Sequence, residues 1–90
     1  MPRNKAHLLL VDDDKRILSL LSAYLSKNEF LISNARNSTE ARCLLDYFEF
    51  DLLVIDIMMP GESGLDLLES IRKQTSVPAI FLSAKGESKD

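Results

Sequence analysis

Four short apolar runs, separated by polar segments, organise this chain. They occupy residues 7–11, 30–33, 52–55 and 79–82. The first and third runs each include four consecutive apolar residues, and Pro78 opens the last run. An uninterrupted apolar run of this length is typical of a strand buried on both faces, as in a parallel α/β sheet. The four runs are therefore predicted to be strands.

Between these runs, apolar residues recur at the spacing of amphipathic helices. The predicted helices are one that follows a cap at Asp14 and ends near Lys27, one that begins at a cap on Ser38 and includes Phe48, and one that includes Leu65 and ends near Gln74. Strands that alternate with helices in the order β-α-β-α-β-α-β predict a parallel sheet with right-handed crossovers. We expect a polar lead-in at residues 1–6 and one domain over residues 7–90, of which residues 83–90 form a polar loop.

The composition excludes several function classes. The formal net charge is -3, and the lysines and arginines are scattered, so we expect no nucleic-acid surface within these residues. The longest apolar runs are too short to span a bilayer, and no secretory leader follows Met1, which predicts a cytoplasmic location. The single cysteine, Cys43, cannot form an internal disulfide. Its neighbours Ala41, Leu44 and Leu45 predict a buried or half-buried thiol.

Acidic residues come directly after two of the predicted strands. Asp12 and Asp13 come directly after the first strand, and Asp56 comes directly after the third. One of the first pair could instead cap the next helix, although Asp14 is equally well placed to do so. Ligands of open α/β sheets bind outside the carboxyl ends of the strands, where all three carboxylates would meet. Three carboxylates that repel one another predict a hard cation such as Mg²⁺, which binds a few carboxylates, waters and a phosphate.

Asp56 is also a candidate nucleophile. An aspartate beside a divalent cation can attack phosphorus and form an acyl phosphate while the metal neutralises the phosphoryl oxygens. Pro60 and Gly61 would hold the backbone around such a site. Ser83 ends the fourth strand, where a serine alone is more often a cap or a turn residue. In this context its hydroxyl and the N–H of Ala84 could donate to a phosphoryl oxygen.

Three segments of the chain resemble the receiver domain of two-component response regulators. They are Leu-Leu-Leu-Val-Asp-Asp-Asp at residues 8–14, Asp-Ile-Met-Met-Pro-Gly-Glu-Ser-Gly at residues 56–64 and Val-Pro-Ala-Ile-Phe-Leu-Ser-Ala-Lys-Gly-Glu at residues 77–87. The resemblance covers residues 7–90, and its details are most similar to regulators whose receiver precedes a winged-helix DNA-binding domain. It implies a flavodoxin-like (CheY-like) fold, a doubly wound parallel sheet in three α/β/α layers.

The resemblance also implies a role for each acidic residue. Asp56 would accept a phosphoryl group from a sensor histidine kinase. Asp13, Asp56 and the backbone carbonyl of Met58 would coordinate Mg²⁺ or Mn²⁺ directly, and Asp12 would act through a coordinated water. The side chain of Met58 would help to tune how fast the phosphoryl group is lost. The expected function is a phosphorylated switch that controls an output such as transcription, not an enzyme with a separate substrate.

Further roles are implied after the fourth strand. Ser83 takes the place of the family's switch Ser or Thr, with the Ala84 N–H as a second contact to the phosphoryl group. Lys85 takes a second position that tunes dephosphorylation. It lies too early to be the lysine of the family's Lys-Pro pair, which pairs with the phosphoryl group and is not found in this sequence.

The chain departs from the family pattern in its length. The family has five strands and five helices, and most of the fourth helix, the fifth strand and the fifth helix are not found here. We therefore expect a fragment of a longer regulator in preference to a short gene product. With no fifth strand, residues 79–82 would form an apolar edge. An isolated chain of this sequence is expected to be marginally stable, or to self-associate as a homodimer or a strand-exchanged oligomer.

Two other classes of function remain open from the sequence. The chain could be a protein-interaction module that works without phosphorylation, which Mg²⁺ binding without an acyl phosphate would indicate. It could also be a phosphohydrolase with an aspartyl-phosphate intermediate. Such haloacid-dehalogenase-like enzymes carry a second aspartate two residues after the nucleophile, where this chain has Met58. That difference argues against the enzyme.

Overall fold

Four strands and three helices alternate along the chain. The computed structural model describes residues 5–82. Its elements are β1 (His7–Val11), α1 (Lys15–Lys27), β2 (Leu31–Ala35), α2 (Ser38–Tyr47), β3 (Leu52–Asp56), α3 (Gly64–Ile71) and β4 (Ala79–Leu82). The predicted order of elements is confirmed, as are the bounds of β1 and β4. Within these residues, no helix has both the length and the hydrophobicity needed to cross a membrane.

The four strands form one parallel sheet in the order β2-β1-β3-β4. β1 and β3 therefore lie at its centre, where Val11 of β1 is the register partner of Ile55. β3 pairs on its other side with β4, so that Asp56 is opposite Leu82. Because all strands run in one direction, the carboxyl ends of β1 and β3 lie side by side.

Helices cover both faces of this sheet. On one face, Leu18 of α1 packs with Leu10 and Val54 of the central strands. The other face carries a larger buried cluster that joins α2, α3 and the sheet; it comprises Leu9, Val11, Ala35, Ala41, Phe50, Leu53, Ile55, Leu67 and Ile71. Consecutive strand residues point to opposite faces, which is why neighbours such as Leu9 and Leu10 belong to different clusters. The predicted three-layer α/β/α architecture is confirmed.

The two central strands are almost completely excluded from solvent. The exposed fraction is 1% for both Leu9 and Leu10, and 0% for both Leu53 and Ile55. Full burial of one such side chain stabilises the fold by about 1.5–3 kcal/mol. The ends of β1 and β3 are therefore rigid points from which the next residues leave the sheet.

Short polar side chains set the helix starts. Asp14 caps α1 as predicted, and its Oδ1 accepts a hydrogen bond from the Arg16 N–H at 2.9 Å. The predicted cap of α2 at Ser38 is wrong, because Asn37 accepts the hydrogen bond from the Glu40 N–H at 2.8 Å. Ser38 is instead the first helical residue, and its buried hydroxyl has no hydrogen-bond partner among the described residues.

The bounds of four elements also differ from the prediction. α2 ends at Tyr47, one residue before Phe48, and β3 extends one residue further than predicted, to Asp56. The other two elements are β2 and α3. β2 covers Leu31–Ala35 instead of residues 30–33, because Asn34 and Ala35 stay in register with β1. α3 ends at Ile71 instead of near Gln74, because the N–H groups of Gln74 and Thr75 both donate to the Ile71 carbonyl. Both differences are set by hydrogen bonds that an apolar pattern does not encode.

The environment predicted for Cys43 is also wrong, since this residue is exposed. α2 packs on the sheet through Ala41, with Leu44 and Leu45 beside it. Those residues recur at helical spacing, and Cys43 falls outside the stripe that they form. Its neighbours in sequence are therefore not its neighbours on the helix surface.

Candidate functional site

Three carboxylates converge at the carboxyl end of the sheet. β1 ends at Val11 and β3 ends at Asp56, and the pairing of Val11 with Ile55 sets Asp12 beside Asp56. Carboxylate oxygens of Asp12, Asp13 and Asp56 all lie within 4.8 Å of one another. The structure therefore brings together the three acidic residues that the sequence predicted to share a site.

Two turns of the same kind, one after β1 and one after β3, each orient one of these carboxylates. The Asp14 N–H donates to Asp12 Oδ1 at 2.9 Å, and the Met58 N–H donates to Asp56 Oδ1 at 3.1 Å. In both cases an aspartate accepts from the backbone two residues further along, which is an Asx turn. Each carboxylate is thus fixed by the segment that continues from its own strand.

The three carboxylates differ in their access to solvent. Asp12 is 5% exposed and Asp56 is 4% exposed, whereas Asp13 is exposed. Burial raises the pKa of Asp12, and the charges of Asp56 and Asp13 raise it further, while the hydrogen bond from the Asp14 N–H opposes them. The charged form of Asp12 is therefore disfavoured until a positive charge enters the site.

The donor set of this cluster suits a hard divalent cation. It consists of carboxylate oxygens, which are the ligands preferred by Mg²⁺ and Mn²⁺, and contains no imidazole or thiolate for a softer metal. A cation of charge +2 would offset the repulsion between the buried Asp12 and Asp56. The carbonyl of Met58, predicted as a further ligand, belongs to the residue whose N–H already bonds Asp56.

Two glycines shape the loop that follows Asp56. The loop closes where the Gly64 N–H donates to the Ile57 carbonyl at 3.0 Å. A Cβ on Gly64 would overlap the backbone oxygen of Asp56, so a larger residue cannot fit without moving β3 or α3. Gly61 has a φ of 78°, a left-handed conformation that glycine adopts without strain. In the sequence, both glycines are marked only by their place in the segment at residues 56–64 that resembles the family motif.

A side-chain network that the sequence did not predict ties this loop to two helices. Arg42 Nη2 of α2 donates to Glu62 Oε2 at 2.6 Å and to Ser70 Oγ of α3 at 2.7 Å. The Ser70 hydroxyl donates in turn to the Leu67 carbonyl at 2.9 Å. These partners are 20 and 28 residues apart in sequence, so no local pattern reveals them.

Three of the predicted site residues lie outside the described part of the chain. These are Ser83, Ala84 and Lys85. The last described residue, Leu82, accepts a hydrogen bond from the Ile57 N–H at 3.3 Å. The end of β4 is therefore next to the start of the loop that follows Asp56.

The family model of the response regulator receiver domain matches residues 8–90. Protein PetR of Rhodobacter capsulatus is 44% identical over 90 residues, which are 100% of this chain and 38% of PetR. Transcriptional regulatory protein ResD of Bacillus subtilis is 39% identical over 84 residues, which are 93% of this chain and 35% of ResD. The chain therefore spans well under half the length of these two relatives.

A solved structure shows the same architecture. Response regulator protein TrrA of Thermotoga maritima, determined in complex with Mg²⁺-BeF, superposes with a TM-score of 0.82 at 35% sequence identity. The match covers 90% of this chain and 71% of TrrA. The parallel sheet described above is thus the sheet of a known group of signalling domains.

Proposed function

The chain belongs to the response regulator receiver domain family, and from that membership we propose that Asp56 is its phosphoacceptor. The phosphoryl donor is a sensor histidine kinase, and the conformational change that follows controls an output. The name of ResD, a transcriptional regulatory protein, supports transcription as that output. The proposed location is the cytoplasm, and any contact with DNA belongs to a separate output domain.

One observation carries this proposal, namely the convergence of Asp12, Asp13 and Asp56 within 4.8 Å at the ends of two buried strands. Buried ionised carboxylates destabilise a fold unless they are paired or bind a cation. A cluster of this kind therefore indicates a binding function more than a structural one. Asp56 is the member that lies at the end of β3 with its Oδ1 held by the Met58 N–H.

The proposed chemistry is a phosphoryl transfer from a phosphohistidine to Asp56. A carboxylate oxygen of Asp56 attacks phosphorus, the P–N bond breaks, and its electron pair returns to the imidazole, which takes up a proton from solvent. The products are an aspartyl phosphate and a neutral histidine. Such a transfer depends mainly on positioning and on neutralisation of charge, and the Met58 N–H contributes the positioning by fixing the rotation of the carboxylate.

The proposed metal ligands are Asp13, Asp56 and the Met58 carbonyl, with Asp12 acting through a water. Mg²⁺, or Mn²⁺ in its place, would supply positive charge to the phosphoryl oxygens. The complex of TrrA with Mg²⁺-BeF supports this choice, as does the all-oxygen donor set. The exposed Met58 side chain, at 56% exposure, is proposed to tune how fast water reaches the aspartyl phosphate.

The roles of the residues after β4 are proposals from the family motif. Ser83 and the N–H of Ala84 would contact the phosphoryl group, and Lys85 would tune its loss. The extent of the domain, residues 7–90 after a lead-in at residues 1–6, is proposed on the same basis.

Intact mass spectrometry after incubation with Mg²⁺ and a small-molecule phosphodonor tests the proposal. We expect the wild-type chain to gain one phosphoryl group and Asp56→Asn to gain none. A gain that persists in Asp56→Asn would place the acceptor elsewhere. Mg²⁺ binding with no gain in the wild type would favour an interaction module that works without phosphorylation.

A further inference from the structure

We propose that Arg42 is a positioning residue for the phosphoacceptor site, acting through Glu62 in the loop that follows Asp56. This inference rests on the function proposed above. It concerns a residue on α2, an element that contributes none of the three carboxylates.

The loop over residues 57–63 is held firmly at both ends. At its start, the Ile57 N–H donates to the Leu82 carbonyl of β4 at 3.3 Å. At its end, the Gly64 N–H donates back to the Ile57 carbonyl at 3.0 Å, and Gly64 is pressed against the backbone of Asp56. The ends of the loop are therefore fixed by the sheet and by α3.

The middle of the loop depends on a different contact. Pro60 and Gly61 are exposed, and Glu62 makes the link to α2 through the hydrogen bond from Arg42 Nη2 at 2.6 Å. Met58, whose carbonyl is a proposed metal ligand, lies between the fixed start of the loop and this link. The Met58 N–H bonds Asp56 Oδ1 and the Met59 side chain packs against the larger buried cluster, so loss of the link would free chiefly residues 60–62. The segment that carries the Met58 carbonyl would then sample more orientations.

Arg42 itself is held in place by a second partner. Its Nη2 also donates to Ser70 Oγ at 2.7 Å, and Ser70 is tied to its own helix by the hydrogen bond to the Leu67 carbonyl. The guanidinium group of Arg42 is therefore restrained by a contact with α3 as well as by Glu62. Arg42 thus joins the loop to both α2 and α3 through two hydrogen bonds.

The electrostatics favour the link at neutral pH. Arg42 lowers the pKa of Glu62 below its ordinary value, chiefly through the side-chain hydrogen bond, so both groups are charged. The two side chains are 40% and 31% exposed, and an ion pair with this much exposure adds little to overall stability. Its removal should therefore leave the fold intact while it loosens the loop.

Mg²⁺ affinity measured by isothermal titration calorimetry on the whole chain tests this role. Loss of a group that directly orients a metal ligand typically weakens metal binding about 10–100-fold. Because Arg42 acts one step further away, we expect a smaller effect, about fivefold weaker binding for Arg42→Gln. Glu62→Ala, which removes the acceptor of the Arg42 hydrogen bond, should weaken binding by a similar factor, and the double variant should be no weaker than either single variant.

Two further variants separate positioning from a general effect. Lys73→Gln removes the same charge from an exposed site just beyond α3 and should leave Mg²⁺ affinity within twofold of the wild type. Arg42→Lys keeps the charge and should recover part of the affinity. Thermal melts without Mg²⁺ should show that all these variants unfold at nearly the same temperature as the wild type.

The possible results separate the positioning role of Arg42 from the proposed phosphoacceptor function. Arg42→Gln with the affinity of Lys73→Gln, or single effects that multiply in the double variant, would overturn the inference alone. A wild-type chain that neither binds Mg²⁺ nor gains a phosphoryl group would overturn the proposed function and this inference together.

Discussion

Asp12 is a carboxyl group whose surroundings oppose its ionisation. Burial raises its pKa, and the charges of Asp56 and Asp13 act in the same direction. A carboxyl group whose pKa is higher in the folded chain than in the unfolded chain destabilises the fold when it is ionised. At neutral pH, without a cation, Asp12 therefore lowers the stability of the protein that it serves.

Asp12→Asn should stabilise the metal-free protein at pH 7.5, by about 1.4 kcal/mol for each unit by which folding raises the pKa of Asp12. The amide oxygen can still accept the hydrogen bond from the Asp14 N–H, while the buried charge is removed. As the pH falls from 7.5 through the raised pKa toward the ordinary value of 3.8, the wild type takes up the proton and the difference should shrink. Urea unfolding at a series of pH values measures both effects.

Saturating Mg²⁺ should reverse the order of stability. A ligand that binds only the folded state stabilises it by an amount that rises with the logarithm of the ligand concentration divided by Kd, and the variant, which has lost one carboxylate of the cluster, should bind Mg²⁺ more weakly. If Asp12→Asn were less stable than the wild type without metal, the electrostatic account of the site would be wrong.

Gly64→Ala should destabilise the fold by about 1–3 kcal/mol, the typical cost of overpacking. The added Cβ would overlap the backbone oxygen of Asp56 and would lie 2.8 Å from Ile55 Cγ2, although alanine is the better helix former. Thermal or urea unfolding measures the loss, and phosphorylation should fall with it because Asp56 must move.

Gly61→Ala is the matched control for this substitution. A Cβ there meets nothing within 4 Å, but the φ of 78° costs a non-glycine residue about 1–2 kcal/mol. If both variants lost the same stability but only Gly64→Ala lost phosphorylation, contact with Asp56 would be the cause. Equal loss of phosphorylation in both would contradict that reading.

The residue scale shows what a sequence can and cannot reveal about a site. Asp12 and Asp56 were predictable because each directly follows an apolar run in the sequence, and parallel strands deliver such residues to one end of the sheet. The link between Arg42 and Glu62 was not predictable, because charged residues are frequent on helices and loops. Arg42 and Glu62 come together only because α2 packs against α3 and the loop that precedes it.

At the scale of elements, the apolar pattern predicted the number, type and order of strands and helices, because burial on one face or both decides them. It was less informative about where elements end. β2 continues through the polar Ser33 and Asn34 because its partner β1 continues. Boundaries of this kind depend on hydrogen bonds to a neighbouring element. The apolar pattern of one segment does not show which element lies beside it.

The start of α2 supplies a direct test at this scale. Asn37→Ala should destabilise the fold by about 1 kcal/mol, because it removes the side-chain acceptor for the Glu40 N–H. Ser38→Ala should cost less, because the Ser38 side chain does not accept the hydrogen bond from the Glu40 N–H. Urea unfolding of the two single variants should rank them in that order, and the reverse ranking would restore Ser38 as the cap.

At the scale of the whole molecule, the two outer strands of the described sheet differ in character. β2 has the sequence Leu-Ile-Ser-Asn-Ala, whereas β4 is Ala-Ile-Phe-Leu with no polar residue. Within residues 5–82, β4 is paired on one side alone, with β3. An apolar strand with unpaired backbone groups is a template for pairing with another chain. The self-association expected from the sequence should therefore proceed through β4.

Ile80→Lys should reduce self-association of a polypeptide of these 90 residues. Ile80 is 53% exposed, so a lysine fits there without burial of its charge, and a charged outer strand resists pairing with a second copy. Sedimentation velocity at several concentrations should show the wild type shifting to larger species as concentration rises, and the variant remaining smaller.

Leu31→Lys on β2 is the matched control, because Leu31 is 48% exposed and the same charge is added to the opposite outer strand. If pairing proceeds through β4, this variant should associate as the wild type does. Equal suppression by both lysines would mean that added charge alone prevents association, and a monomeric wild type at every concentration would remove the case for strand pairing. Stronger suppression of self-association by Ile80→Lys than by Leu31→Lys is expected only if the second copy pairs with β4. That strand ends at Leu82, which is the register partner of Asp56.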